Sequence, residues 1–195
     1  MAQNQQVVKQ MNNNQVSIIG GLWRGQKISF SDFPGLRPTP NRVKETLFNW
    51  LSADIIDAIC LDLFAGSGAL GFEALSRGAK QVTFIDDNYL AIQAIRKNAK
   101  RLNVTNAHFM HGKIPKLTLD INCAYDIIFI DPPFKHQLVN PSIAWLEQHH
   151  YLKINALIYI EQAIDDEPIL VPSNWQVLRE KQAGMVSYTL FQKLS

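Results

Sequence analysis

Four consecutive residues, Asp131-Pro132-Pro133-Phe134, form the most chemically distinctive run in this chain, and they directly follow the largely apolar stretch Tyr125–Ile130. The amine on the edge of a nucleobase is a poor nucleophile, because its lone pair is delocalised into the ring. A carboxylate accepting one N–H and a backbone carbonyl accepting the other would favour a tetrahedral nitrogen with its lone pair aimed at an electrophile. Asp131 supplies the carboxylate, and Pro132 supplies a carbonyl, since proline lacks only the N–H. The two proline rings fix φ and so hold both acceptors in place before a substrate arrives. Phe134 is then positioned to stack on a base swung out of its surroundings. Taken alone, the run also fits a strand-end turn in which Asp131 caps a helix and Phe134 belongs to the core.

A second motif supplies the electrophile's site. Leu61-Asp62-Leu63-Phe64-Ala65-Gly66-Ser67-Gly68-Ala69-Leu70-Gly71 runs from strand into helix and carries glycines in the G-x-G-x-x-G pattern of nucleotide-binding loops. Asp86 follows at the end of the next strand, where a carboxylate can accept from ribose hydroxyls. Two ligand classes compete for such a loop. A dinucleotide would lay its pyrophosphate on the helix N-terminus, but Asp62 would then stand against that anion. S-adenosylmethionine carries an ammonium and a sulfonium and no phosphate, so Asp62 favours the methyl donor. The expected donor-binding residues are Asp62, Phe64, Gly66, Gly68, Gly71 and Asp86.

Alternating strands and helices must position both motifs. Strands are predicted at Ile59–Phe64, Gln81–Ile85, Ala107–Met110, Tyr125–Ile130 and Leu157–Glu161, with helices over Gly68–Arg77 and Asn88–Leu102. This alternation indicates βαβ units and a parallel sheet, and the apolar strand before Asp131 suits a sheet covered on both faces. Trp175–Gln182 and Met185–Lys193 alternate polar with apolar around Ala183-Gly184 and read as an antiparallel hairpin. Upstream, Val16–Leu22 and Gln26–Phe30 read as a β-hairpin across Trp23-Arg24-Gly25, followed by a proline-rich loop over Ser31–Pro40 and a helix over Asn41–Ser52. That helix should show a polar stripe of Arg42, Glu45 and Asn49. Residues 1–15 are rich in Gln and Asn and are expected to be disordered.

Composition is that of an ordinary globular protein of one domain: 195 residues, 47% hydrophobic and 18% charged. No apolar run approaches the length of a membrane helix, and the polar start lacks a signal-peptide core, so a cytoplasmic location is expected. The net charge is only +2, but the first 51 residues hold six basic groups (Lys9, Arg24, Lys27, Arg37, Arg42, Lys44) against Asp32 and Glu45. Such asymmetry suggests a polyanionic partner. Cys60 and Cys123 sit in or beside apolar segments and read as buried thiols. His108, His111, His136, His149 and His150 show neither ligand spacing nor a serine partner, which assigns them to surface or turns; Trp23 and Trp50 read as core aromatics.

The chain resembles the bacterial 16S rRNA guanine-N2 methyltransferases of the RsmD type. The resemblance is carried by Ile18–Gly25, by Gly35-Leu36-Arg37-Pro38-Thr39-Pro40-Asn41-Arg42 continuing to Leu51, by Leu61–Gly78 and by Asp131–Phe134. It implies an α/β, doubly wound, Rossmann-like fold with a mostly parallel seven-stranded sheet of order 3-2-1-4-5-7-6, and a small N-terminal β-hairpin appendage. It further implies S-adenosylmethionine as donor, no metal, and a guanine of 16S rRNA in the assembled small ribosomal subunit as target. Asp131, Pro132 and Phe134 would be catalytic. Residues 16–40, with Arg24, Lys27, Arg37 and Arg42, would contact RNA, while 41–195 would form the methyltransferase domain of a monomer. One departure from the family pattern is Met110-His111-Gly112-Lys113-Ile114, where a lysine replaces a small polar or acidic residue near the donor's adenine. DNA adenine-N6 and protein glutamine methyltransferases use a similar acid-Pro-Pro-aromatic turn. A nicotinamide-dependent oxidoreductase would share the glycine loop alone, and a non-catalytic RNA-binding assembly factor could retain the whole scaffold.

Overall fold

The computed structural model describes residues 14–30, 39–119, 124–133 and 137–195. Arg37, Cys123, Phe134 and His136 lie outside the described residues, as do the first 13 residues and most of the proline-rich loop.

The strands are β1 (Gln15–Ser17), β2 (Lys27–Ser29), β3 (Ile59–Asp62), β4 (Gln81–Asp86), β5 (Ala107–His111), β6 (Tyr125–Ile130), β7 (Leu152–Ala163), β8 (Trp175–Ala183) and β9 (Val186–Lys193). The helices are α1 (Asn41–Trp50), α2 (Ala69–Ser76), α3 (Tyr89–Arg101) and α4 (Val139–Gln148). β3 to β9 form one sheet in the order β5-β4-β3-β6-β7-β9-β8, parallel except where β9 pairs antiparallel with β7 and β8. Numbered from β3, this is the expected 3-2-1-4-5-7-6 order.

Why the central strands are apolar is plain from their two faces. On β6, Ile127 and Phe129 join the cluster shared with α1, α2 and α3, whereas Ile128 and Ile130 join the cluster shared with α4. A strand with helices above and below has no solvent face to keep polar. α4 escapes the sequence reading, which places no helix between the fourth and fifth strands. Pro141 in its first turn obscures it, although proline is tolerated there because the first N–H groups have no intrahelical partner. The helix buries Val139, Ser142, Ile143, Trp145 and Leu146. β7 also begins earlier than expected, at Leu152, with a register shift opposite Tyr125 and Ile127.

The N-terminal strands are shorter than predicted and pair Val16 with Ile28. They are riveted to the helical layer. Val16, Ile18 and Ile28 are buried in the core of α1–α3, and backbone groups of Ile19, Leu22, Trp23 and Ser29 bond to Glu73, Ser76 and Asn98. Gly21 takes φ +71°, and a Cβ there would lie 1.8 Å from the Ser76 carbonyl oxygen. This close approach of loop to helix end is open only to glycine.

Lys44 corrects one expectation. Counted from sequence among the basic groups facing a polyanion, it is 1% exposed and donates from Nζ to the Ser17 carbonyl at 2.7 Å. Burial lowers its pKa, opposed by Glu73 and Glu45. The lysine ties α1 to β1 rather than facing solvent.

Candidate active site

β3 lies where the strand order reverses, between β4 and β6. In open α/β sheets this switch point opens a crevice beyond the carboxyl ends of the strands. A cavity of about 470 Å³ occupies it, within the usual range for small-molecule sites. Register explains which side chains reach it. Cys60, Ile127 and Leu157 share the face covered by α1 to α3. Two-residue periodicity then brings Asp62, Asp131 and Glu161 to that same face at successive strand ends.

Asp131 is partly buried on the cavity wall, and its Oδ2 accepts from the Thr39 hydroxyl at 3.1 Å. Burial pushes its carboxyl well up, the Glu161 charge adds to this, the Thr39 hydrogen bond opposes, and Asp62 adds a smaller push. Glu161 is 4% exposed and accepts from the Tyr159 hydroxyl at 2.8 Å; burial raises its pKa, against that hydrogen bond. Asp62 is 2% exposed, and its Oδ2 accepts from the Gly71 N–H at 3.1 Å. Burial lifts its carboxyl to about 7, the Gly71 N–H opposes this, and the Asp86 charge adds. Asp86 bonds through Oδ2 to the Gly66 N–H at 2.7 Å and through Oδ1 to the Asn88 N–H at 2.8 Å. Its pKa is raised by burial, against those two bonds. Four carboxyl groups held up by burial make the cavity a host for cations and N–H donors.

The glycines divide by role. Gly66 lines the cavity at φ +51°. Gly68 and Gly71, expected among the donor-binding residues, are also required by packing. At Gly68 (φ +79°) a Cβ would meet the Phe72 ring at 2.9 Å, and at Gly71 it would meet Phe84 Cε1 at 2.2 Å. These two glycines let α2 close onto its neighbours, with Gly71 also presenting its N–H to Asp62. Gly71→Ala should therefore cost about 1–3 kcal/mol by overpacking, measured as a lowered urea midpoint, because Phe84 is clamped between Phe72 and Phe109.

The cavity also takes in Phe64, Pro132, Gly112, Lys113 and Ile114. Pro132 is buried and Lys113 exposed. The Gly112 N–H bonds to the Asp86 carbonyl at 3.0 Å, joining the β4 and β5 ends into one wall. Among the lining residues that escape the sequence reading of the site are Thr39 and Glu161. Glu161 had a signal, an acid at the carboxyl end of the strand beside Asp131's, whereas Thr39 reaches the site only through packing of the segment before α1.

The basic residues separate in space. Arg24, Lys27 and Arg42 are all exposed, and Arg42 lies near the cavity, in the first turn of α1 two residues from the lining residue Pro40. Lys27 sits against Arg101, which donates to its carbonyl. Asn88 caps the opposite end of that helix and lines the cavity, and a helix of 13 residues spans about 20 Å. The exposed stripe Arg42, Glu45 and Asn49 stands as expected. Trp23 and Trp50 pack partly buried against the core, and Cys60 is a buried thiol whose pKa burial raises. His111 faces the Asp87 carbonyl and the Tyr89 ring, and His149 stacks on Tyr151. Among the described residues no group of His, Cys, Asp and Glu is arranged to hold a metal, and no helix is long and apolar enough to cross a membrane.

Comparison with known proteins agrees with this architecture. Residues 16–192 match the family model described as Conserved hypothetical protein 95. Ribosomal RNA small subunit methyltransferase D of Escherichia coli strain K12 is 45% identical over 181 residues, covering 93% of this chain and 91% of that protein. The protein of the same name from Haemophilus influenzae is also 45% identical, over 91% of this chain and 94% of its own. A solved structure of a putative methyltransferase from Escherichia coli superposes with a TM-score of 0.83 at 44% identity, covering 93% of this chain and 99% of that one. With the strand order, the acidic crevice and the Asp-Pro-Pro turn in one place, the chain belongs to the ribosomal RNA small subunit methyltransferase D family.

Proposed function

We propose that this protein transfers a methyl group from S-adenosylmethionine to the exocyclic N2 of a guanine in 16S rRNA, acting on the assembled small subunit. The observation that carries the reading is the placement of Asp131 and Pro132 in the same cavity as Asp62 and Asp86, across the switch point of the sheet. The donor suits these residues. Asp62 would face its ammonium, Asp86 its ribose hydroxyls, and the walls at Phe64 and Gly112–Ile114 its adenosine. Bound there, the donor supplies an electrophilic methyl carbon on a positively charged sulfur.

The chain's own groups do the rest. Asp131 accepts one N–H of the amine and the Pro132 carbonyl the other, which turns the nitrogen lone pair towards the donor. As the C–N bond forms and the methyl carbon's bond to sulfur breaks, leaving a neutral thioether, nitrogen becomes cationic, and Asp131, raised by burial and by Glu161, is suited to take the surplus proton. Thr39 fixes the carboxylate's orientation through its hydroxyl. Phe134, three residues on, is assigned stacking on the base. Arg42 near the mouth and Lys27 about a helix length from the cavity, with Arg24 in the same hairpin as Lys27, would grip RNA backbone at separated points, which favours a folded particle over a short strand.

The test is mass mapping of small-subunit rRNA from cells with and without this protein, together with labelled methyl transfer to small subunits, bare rRNA, DNA and protein. A single missing N2-methylguanine supports the reading; label appearing in DNA or protein instead refutes it.

A pH dependence follows from Asp62. Its carboxyl titrates at about 7 in the free chain, and an ammonium beside it favours the ionised form. Donor binding therefore releases a proton below that pH. Affinity measured by calorimetry should rise up to about tenfold per pH unit from 5 to 7 and then level, and Asp62→Asn should flatten the profile. The same raised value means that the free protein loses stability as pH rises from the unfolded carboxylate range through about 7.

A further inference from the structure

Asp131 has a neighbour to which the methyl-transfer chemistry just described gives no contact with the substrate. Ile130 of β6 pairs with Ile160 of β7, so Asp131, just past the end of β6, follows on the same face as Glu161, close enough for the Glu161 charge to act on it. Both line the cavity. Each carboxylate has one oxygen tethered by a hydroxyl, Asp131 Oδ2 by Thr39 and Glu161 Oε2 by Tyr159, which leaves the second oxygen of each to face a ligand. Among the described residues Glu161 makes no ion pair, and its burial disfavours charge. A neutral side chain would satisfy Tyr159 equally well, so a carboxylate here answers to something in the cavity.

We infer that Glu161 is a base-selecting residue that accepts the ring N1–H of the target guanine while Asp131 holds the neighbouring amine. This rests on the guanine-N2 reading above. Guanine alone among the four RNA bases presents an N–H donor in the ring beside its exocyclic amine. Adenine and cytosine present a ring nitrogen lone pair at that place, and uracil has no amine. With the amine on Asp131, adenine or cytosine would set a lone pair against the Glu161 carboxylate, leaving a buried acceptor unpaired, and such mispairing is a strong source of discrimination.

The test pairs an enzyme variant with a base analogue. 2-Aminopurine keeps the N2 amine but carries a bare lone pair at N1. Small subunits rebuilt around rRNA holding either guanine or 2-aminopurine at the mapped target position are methylated by wild-type protein and by Glu161→Gln. Wild type should prefer guanine by about 10–100-fold in kcat/KM, in line with the value of a well-made base contact. In Glu161→Gln the amide oxygen takes the Tyr159 hydroxyl and its NH2 turns to N1, so preference should shift towards 2-aminopurine by about tenfold or more. Glu161→Leu removes the acceptor without adding a donor and should bring the two substrates close to parity, giving a second readout should the amide variant fold poorly. A merely structural glutamate would lower both rates together and leave their ratio unchanged, which overturns the inference. If wild type yields no N2-methylguanine at all, the proposed function itself has failed.

Discussion

Asp131→Asn should lower kcat for methyl transfer to small subunits by about 10²–10⁴-fold, the range spanned by a positioned acid–base group, while leaving donor affinity within a few-fold of wild type. The asparagine keeps the side-chain volume and can still accept from Thr39. It cannot take up a proton, and its NH2 would oppose the N–H groups of the target amine. Single-turnover methylation with saturating donor isolates the chemical step, and calorimetry with donor alone reports binding. Retention of most of the turnover would remove Asp131 from the chemistry and, with it, the reason for reading the Asp-Pro-Pro turn as catalytic. A parallel loss of donor binding would instead mean that the carboxylate holds the donor.

The largest structural effect is expected at Glu73, a residue far from the chemistry. Its side chain is 0% exposed; it pairs with Arg77 at 2.7 Å and accepts the Ile19 N–H at 2.8 Å. It also favours the charged form of the buried Lys44. Arg77 in turn lies over the Phe48 ring, 5.1 Å from its centroid. Glu73→Ala removes the anion that this set of buried groups surrounds, and breaking such a pair costs about 3–5 kcal/mol. A chain of this length should then melt roughly 6–20 °C lower. Replacing the lysine as well, in Glu73→Ala with Lys44→Met, takes away the stranded ammonium and should recover part of the loss. Additive losses in the double variant would show that the lysine and the glutamate do not act together. Because both residues fasten the β1–β2 hairpin, proteolysis between residues 18 and 26 should accelerate in the single variant.

The sequence was legible wherever a requirement is local. The Asp131-Pro132 turn, the glycine loop and Asp86 announce themselves because strand-end turns need particular residues at particular spacings. Central strands such as β6 betray burial on both faces through continuous apolar runs. The resemblance carried by those same segments extended the reading to sheet order. α4 was hidden because Pro141 in its first turn looks like a break.

What the amino-acid order determined by itself was therefore the layered α/β architecture and the chemical kind of the site. The tertiary structure decided three further matters: that Gly68 and Gly71 are demanded by helix packing, that Lys44 is a buried tie rather than a surface charge, and that Thr39 and Glu161 stand with Asp131. Residues 39, 131 and 161 are remote in the chain, and local spacing carries no information about such neighbours. Only strand register and the docking of the segment before α1 bring them together, and register is settled by how the whole sheet buries its two faces.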